Sequence, residues 1–329
     1  MTDPTKDPMN RRDFLGRAAR AGALALGAGA AGFLLRDSKG PAAVEAVPRV
    51  TLPDFSIASE GSKLSIVTGS DRVKTVRRAV QALGGIETFI KPGDRVLLKV
   101  NAAFASAPSL SATAHPDLVA EVTRLCFGAG ASSVVVTDNP INDPQSCFAL
   151  SGIAKAAEKA GARVILPRPE YFKPTTLDGG VLIRDWPLLF EPFEGVTKLI
   201  GIAPVKDHHR SGASMSMKNW YGLLGGRRNV FHQDIHTIIY ELAKLVRPTL
   251  VILDGTTTML TNGPTGGSLD DLKVTNTMIA GTDQVAVDAF GATLLGKTAA
   301  DLTFITKAAE GGLGTVDYEA LHPARDHVT

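Results

Sequence analysis

From about residue 63 onward the chain alternates short apolar runs with segments of helical period. "KLSIVTG" (63–69) predicts a strand, and residues 72–83 predict a helix with Val73, Val76, Val80 and Leu83 on one face. "KPGDRVLLKVN" is a turn followed by a buried strand at 95–100. Pro116 suits a first helical position, and Leu118, Val119, Val122, Leu125 and Cys126 make the apolar stripe behind it. Gly128 and Gly130 stop that helix. "SSVVVTDN" predicts the next strand, 148–160 a helix closed by Gly161, and "ARVILPR" a further strand.

This β-α-β-α-β rhythm predicts a parallel sheet with right-handed crossovers. Residues 170–195 are less regular and suit a hairpin or an insertion. "TKLIGIAPVK" returns to the strand pattern, 233–246 predict a helix, and "TLVILDG" predicts a buried strand. "TMIAGTDQVAVDAFGATLLG" predicts a short strand, a turn and a helix starting near Gln284. The expected fold class is therefore α/β: one domain over 62–329, a mostly parallel sheet flanked by helices, with Rossmann-like layering.

The first 61 residues break this pattern. Arg11-Arg12, Asp13, Phe14 and Leu15 precede a weakly apolar, Ala/Gly-rich run from Ala21 to Leu35. The order resembles a twin-arginine export signal, assigned to residues 1–46, with a small-residue cleavage site at Val44-Glu45-Ala46. A Pro/Ala/Gly/Ser-rich linker follows over 47–61. The signal implies the twin-arginine machinery as a partner and a periplasmic or outward-facing anchored location. The apolar run is short for a spanning helix, which needs about 20 residues.

Charge and cysteine content narrow the function classes. Residues 1–46 carry seven Lys/Arg and five Asp/Glu, which leaves 28 of each in the rest of the chain. A neutral domain makes no global electrostatic case for nucleic acid. The two cysteines, Cys126 and Cys147, are too few for a self-contained iron–sulfur cluster. They suit either a disulfide or buried free thiols.

In open parallel sheets, ligands bind outside the carboxyl ends of the strands. Lys99 and Asn101, Asp138 and Asn139, Lys206-Asp207-His208, Asp254-Gly255 and Asp283 all fall at predicted strand ends. Lys99, Lys206 and Lys218 lie in apolar surroundings, where lysine needs a partner. They either bind a small carboxylate or phosphate, with Asn101 and Asn219 as hydrogen-bonding neighbours, or pair with nearby aspartates. The glycines of "NGPTGG", Gly263, Gly266 and Gly267, can turn backbone N–H groups to an anion or simply make a tight turn.

His232 and His236 are four residues apart. At about 100° per residue, His232 falls about 75° and His236 about 115° from the centre of the apolar face. A divalent metal is better served by His232 with His208 and Asp254 than by the pair. His208 and Lys206 are the candidate catalytic acid/base groups. No GxSxG elbow supports Ser/His/Asp hydrolysis.

"RVLLKVN", "APVKDHH", "SMSMKNWYGLLGG", a His ahead of a helix, "VILDGTTTML", "NGPTGG" and "GTDQVAVDAFGATLLG" occur in that order. Over residues 63–297 the chain resembles the domain-of-unknown-function family numbered 362. The resemblance implies no settled activity. Some members carry an added ferredoxin-like segment whose cysteines this chain lacks, and members often have Lys-Thr-His where this chain has Lys206-Asp207-His208. Three alternatives follow: an exported enzyme or enzyme-like protein binding a small anion, a non-catalytic accessory or electron-transfer partner that borrows a cluster from a redox partner protein, or a metal-binding or cofactor-carrying protein without turnover.

Overall fold

The computed structural model describes residues 10–34, 49–58 and 63–329. The chain divides into two units, Met1–Val47 and Pro48–Thr329. In the first, Arg11–Leu34 is a helix whose Arg11 and Arg12 are exposed. No helix among the described residues is long and apolar enough to cross a membrane. The expected cleavage site and both ends of the linker, 47–48 and 59–61, lie outside the described residues.

The second unit is built on ten strands: β1 (Leu64–Thr68), β2 (Arg95–Lys99), β3 (Ser133–Thr137), β4 (Arg163–Ile165), β5 (Phe172–Thr175), β6 (Trp186–Leu189), β7 (Lys198–Lys206), β8 (Leu250–Met259), β9 (Leu272–Gly281) and β10 (Ala324–His327). Eight form one sheet in the order β10-β1-β9-β8-β7-β2-β3-β4, while β5 and β6 make a separate hairpin. β9 runs antiparallel to both neighbours, and the other pairings in the large sheet are parallel. The fold is thus α/β, a mostly parallel sheet between helical layers.

The strands are apolar on both faces because both faces are covered. Leu97, Leu199, Ala203 and Leu253 join one core with the helices Ile235–Leu245, Gln284–Leu294 and Thr303–Glu310. Val96, Leu98, Ile200, Ile202 and Ile252 join the other with the helices Arg72–Ala82, Pro116–Gly128 and Ile153–Lys159.

Four local differences from the sequence pattern bear on the site. The helix expected over 148–160 is two, Pro144–Leu150 and Ile153–Lys159, separated at Gly152 (φ 72°). β8 does not stop at Gly255 but continues to Met259, so Asp254 sits inside a strand. His232 lies in a 3-10 turn, Arg228–Asp234, ahead of the helix that carries His236. The polar C-terminal segment forms β10, which pairs with β1 at the sheet edge, where His327 Nδ1 lies 2.9 Å from Thr68 Oγ1. Cys126 and Cys147 are buried, unpaired thiols.

The chain leaves β2 toward β3 on one side, and leaves β7 toward β8 on the other. β2 and β7 are neighbours, so their carboxyl ends flank the point where the winding reverses. Such a reversal opens a crevice in α/β sheets. Lys99 ends β2 and Lys206 ends β7.

Candidate functional site

A cavity of about 320 Å³ opens at this crevice. Lys99, Asn101, Asp138, Lys206, His208, Lys218, Asn219 and His232 all line it. The third lysine arrives through the short helix Ser216–Asn219. That helix is pinned from below by the buried Asp288, whose carboxylate accepts from the Ser216 N–H (2.8 Å), the Ser216 hydroxyl and the Met217 N–H (3.0 Å). Burial raises the Asp288 pKa to about 7. Trp220 then packs over Gly201 of β7, where a Cβ would come within 2.6 Å of the indole ring.

The three lysines are not equivalent. Lys99 is a scaffold cation: its Nζ lies 2.6 Å from Asp138 Oδ1 and donates to the Val100 carbonyl (2.9 Å), the Asn219 carbonyl and Asn219 Oδ1 (2.9 Å). Burial pulls its pKa down while the Asp138 carboxylate opposes that pull. Gly222 closes over this pair so tightly that a Cβ would fall 2.0 Å from Asp138 Oδ1. Asn219 is equally committed, its Nδ2 donating to the Lys99 and Ile202 carbonyls.

Lys206 and Lys218 have no carboxylate partner among the described residues. Lys206 Nζ donates to the Ala112 carbonyl (2.6 Å) and to Asn101 Oδ1 (3.4 Å), and lies 5.2 Å from the Phe104 ring. Lys218 Nζ stands over the Tyr221 ring at 5.1 Å. Burial, then the Lys218 charge, lowers the Lys206 pKa to about 7. Burial, then the Arg228 charge, lowers that of Lys218 to about 7.

Sequence reasoning passed over Arg228. Its buried guanidinium donates to the carbonyls of Asn139, Tyr221, Leu224 and Pro140, and no carboxylate among the described residues meets it. Burial lowers its pKa. Its ties to Asn139 and Pro140 span 89 and 88 residues, which no local pattern reveals. The only signal was an Arg pair inside a glycine-rich passage. Cations therefore outnumber anions at the crevice: Asp138 is one negative charge against Lys99, Lys206, Lys218 and Arg228.

The histidines divide by the hydrogen bonds of their ring nitrogens. His208 Nδ1 accepts from the Arg210 and Ser211 N–H groups (3.1 and 3.2 Å), so the proton of the neutral ring is on Nε2. Burial, then the Lys218 charge, drives its pKa to about 2. Neutral His208 can donate a hydrogen bond but keeps no lone pair for a metal or for base catalysis. His232 has the opposite tautomer. Its Nδ1 lies 3.3 Å from the Asn229 carbonyl, which can only accept, and 3.2 Å from Tyr221 Oη, whose proton goes to the Arg228 carbonyl (2.6 Å). His232 therefore keeps its Nε2 lone pair, and burial lowers its pKa. His209, exposed, stacks on His208 with ring centroids 5.0 Å apart, and the His232 ring lies near-parallel to that of His208 at 6.1 Å.

The remaining expected site residues lie elsewhere. Asp254 is held by Arg72 Nε (2.8 Å) and the Thr256 N–H (2.8 Å) and does not line the cavity, so it does not complete a set with His208 and His232. No group of three or more His, Cys, Asp or Glu side chains suited to a metal occurs among the described residues. Asp283 caps the helix Gln284–Leu294, accepting from the Val285, Ala286 and Thr315 N–H groups. His236 stacks on Phe304 at 6.4 Å. The N–H groups of Gly263 and Gly266 bond to Asp207 Oδ2 and the Asn262 carbonyl, and that of Gly267 bonds to Asp271. That loop meets the cavity through Pro264 and Thr265 instead. Asp207, the departure from Lys-Thr-His, turns to Lys297 (3.3 Å) and Gly263, so it braces this loop.

A thylakoid-associated protein of Synechocystis sp. is 26% identical over 222 residues, covering 65% of this chain and 67% of that one. The lactate racemase apoprotein of Thermoanaerobacterium thermosaccharolyticum aligns with a TM-score of 0.38 and 13% identity, over 72% of this chain and 59% of that one. A protein of Thermotoga maritima aligns with a TM-score of 0.33 and 12% identity, over 55% and 50%. Those two structural likenesses carry no argument about this site. The model of the family described as "Domain of unknown function (DUF362)" matches residues 96–293, more than half of the chain and every residue that lines the cavity, and the chain belongs to that family.

Proposed function

We propose that this protein binds a small anion, a carboxylate or phosphate compound, in the crevice between β2 and β7, in an enzyme or enzyme-like role outside the cytoplasm. The observation that carries the reading is the pair Lys206 and Lys218, cavity-lining and without a carboxylate partner among the described residues. Burying a cation without a counter-charge costs several kcal/mol, and a bound anion repays that cost. Lys206 supplies charge, the His208 Nε2–H supplies a neutral donor, and Lys99 with Asp138 and Asn219 hold the frame.

Thermal shift with sulfate, phosphate, oxalate and malonate tests this. A ligand at a hundred times its Kd adds about 2.7 kcal/mol of apparent stability. At least one anion is expected to raise Tm at millimolar concentration, and Lys206→Met to weaken that anion tenfold or more. If none of the four moves Tm, the reading is wrong.

Export by the twin-arginine route rests on Arg11-Arg12 and the Ala/Gly-rich segment that follows. A reporter fused behind residues 1–61 should reach the periplasm, and lose that location when both arginines become lysine. A reporter that is exported equally well in both forms would remove the assignment.

A further inference from the structure

We propose that Lys218 is an amine nucleophile that forms an imine with a carbonyl group carried by the anionic ligand. The inference rests on the anion reading of the cavity and adds covalent chemistry to it.

The argument starts from what each ammonium group touches. A protonated lysine has three N–H donors and no acceptor. Lys99 finds Asp138, Asn219 and the Val100 carbonyl. Lys206 finds the Ala112 carbonyl and Asn101. Both have acceptors that hold their N–H groups and turn them into donors. Lys218 has no hydrogen-bond acceptor among the described residues, only the face of Tyr221 at 5.1 Å. Its cationic neighbours Arg228 and Lys99 further disfavour a proton on Nζ. Lys218 is half-buried and lines the cavity, so its neutral amine keeps a lone pair there that no protein group among the described residues takes up. Lysine becomes a nucleophile by this combination of desolvation and a neighbouring cation. A pKa near 7 leaves much of the amine free at neutral pH.

The division of labour follows. Lys206, held as a donor, takes the anionic group, and Lys218 meets the carbonyl carbon. The Nζ lone pair adds to that carbon, and the carbonyl π electrons move to oxygen, which takes a proton from water or from the Lys206 ammonium. The nitrogen of the adduct releases one proton to solvent, and the carbinolamine then loses its hydroxyl as water with a second proton. Amine, carbonyl and one proton thus become a protonated imine and one water, with no change of oxidation state.

Reductive trapping on the full chain tests this. Glyoxylate, an anionic aldehyde, is added at sub-stoichiometric concentration with sodium cyanoborohydride, which delivers hydride to the imine carbon and leaves a stable secondary amine. Peptide mass mapping should place the adduct on Lys218 at least tenfold above any other lysine. The rate should rise with pH through about 7 and fall tenfold or more with excess oxalate. The uncharged aldehyde propanal should label Lys218 far less. Lys218→Met should remove the specific adduct while a Tm shift by oxalate survives, weakened.

If an anion shifts Tm but the adduct scatters over surface lysines, or Lys218 is not labelled, the imine is wrong and the anion site stands. If no anion shifts Tm and no adduct concentrates in the cavity, both fall. Labelling of Lys206 in preference to Lys218 would overturn the division of labour.

Discussion

Two polar clusters near strand ends look alike in the sequence and behave differently in the fold. At Asp254 of β8 the charge is closed: Arg72 meets the carboxylate at 2.8 Å and donates to Thr257, and Thr256 supplies an N–H. At the ends of β2 and β7 only Lys99 is closed, by Asp138, while Lys206, Lys218 and Arg228 have no carboxylate partner among the described residues. The difference is topological. β7 and β8 both run toward the same edge, but β8 continues five residues past Asp254. β2 and β7 end where the winding reverses, leaving space for charge without a partner. A polar strand end is thus a poor sign of a site, and an uncompensated one at a reversal is a good sign.

The sharpest break of that comparison is Asp138→Ala against Asp254→Ala. Removing Asp138 leaves the fully buried Lys99 without its counter-charge, beside cations that repel it. Breaking a buried pair by removing one partner costs about 3–5 kcal/mol. Arg72, partly exposed, can turn to water when Asp254 is lost, so that change should cost about 1–2 kcal/mol. Urea melts at pH 7 measure both. Equal losses would mean that the pair at the crevice is no more enclosed than the one at β8.

How much of this was legible beforehand follows the same division. The strands that bury both faces stood out as continuous apolar runs, as in "RVLLKV" and "TLVILD". Pro116 marked a helix start through local chemistry, and it begins the helix Pro116–Gly128. Lys99, Asn101, Lys206, His208, Lys218, Asn219 and His232 do converge, because strand ends of a parallel sheet lie on one side. What stayed hidden depends on distant partners. β10 is a short polar strand whose pairing with β1 uses backbone groups that leave no pattern. "GTTTM" gave no sign that β8 continues, so Asp254 was placed at an end. Asp283 was read as a ligand contact when its carboxylate is spent on capping N–H groups. The role of Arg228 depends on carbonyls of a segment almost ninety residues away.

The smallest expected effect separates charge that the fold pairs from charge that it leaves for a ligand. Lys206 and Lys218 are each lowered to about 7 in the fold, against about 10.4 unfolded. Between those values the unfolded chain binds more protons than the folded one, so anion-free stability rises with pH. The usable window is about pH 7–9, because the buried thiols Cys126 and Cys147, raised to about 12 and 11, oppose the trend above 9, the ordinary value for a thiol. Asp288, raised to about 7, acts below the window. A fully shifted lysine is worth about 1.4 kcal/mol per pH unit, and Lys218, partly open to the cavity, contributes less. Denaturation midpoints at pH 7, 8 and 9 should therefore rise in the wild type and rise less in the Lys206→Met/Lys218→Met double variant, where Lys99 remains. Saturating sulfate should flatten the wild-type slope by holding both protons in place. A slope unchanged by the double substitution would mean that these lysines are paired after all, and that the crevice is closed in the same sense as Asp254.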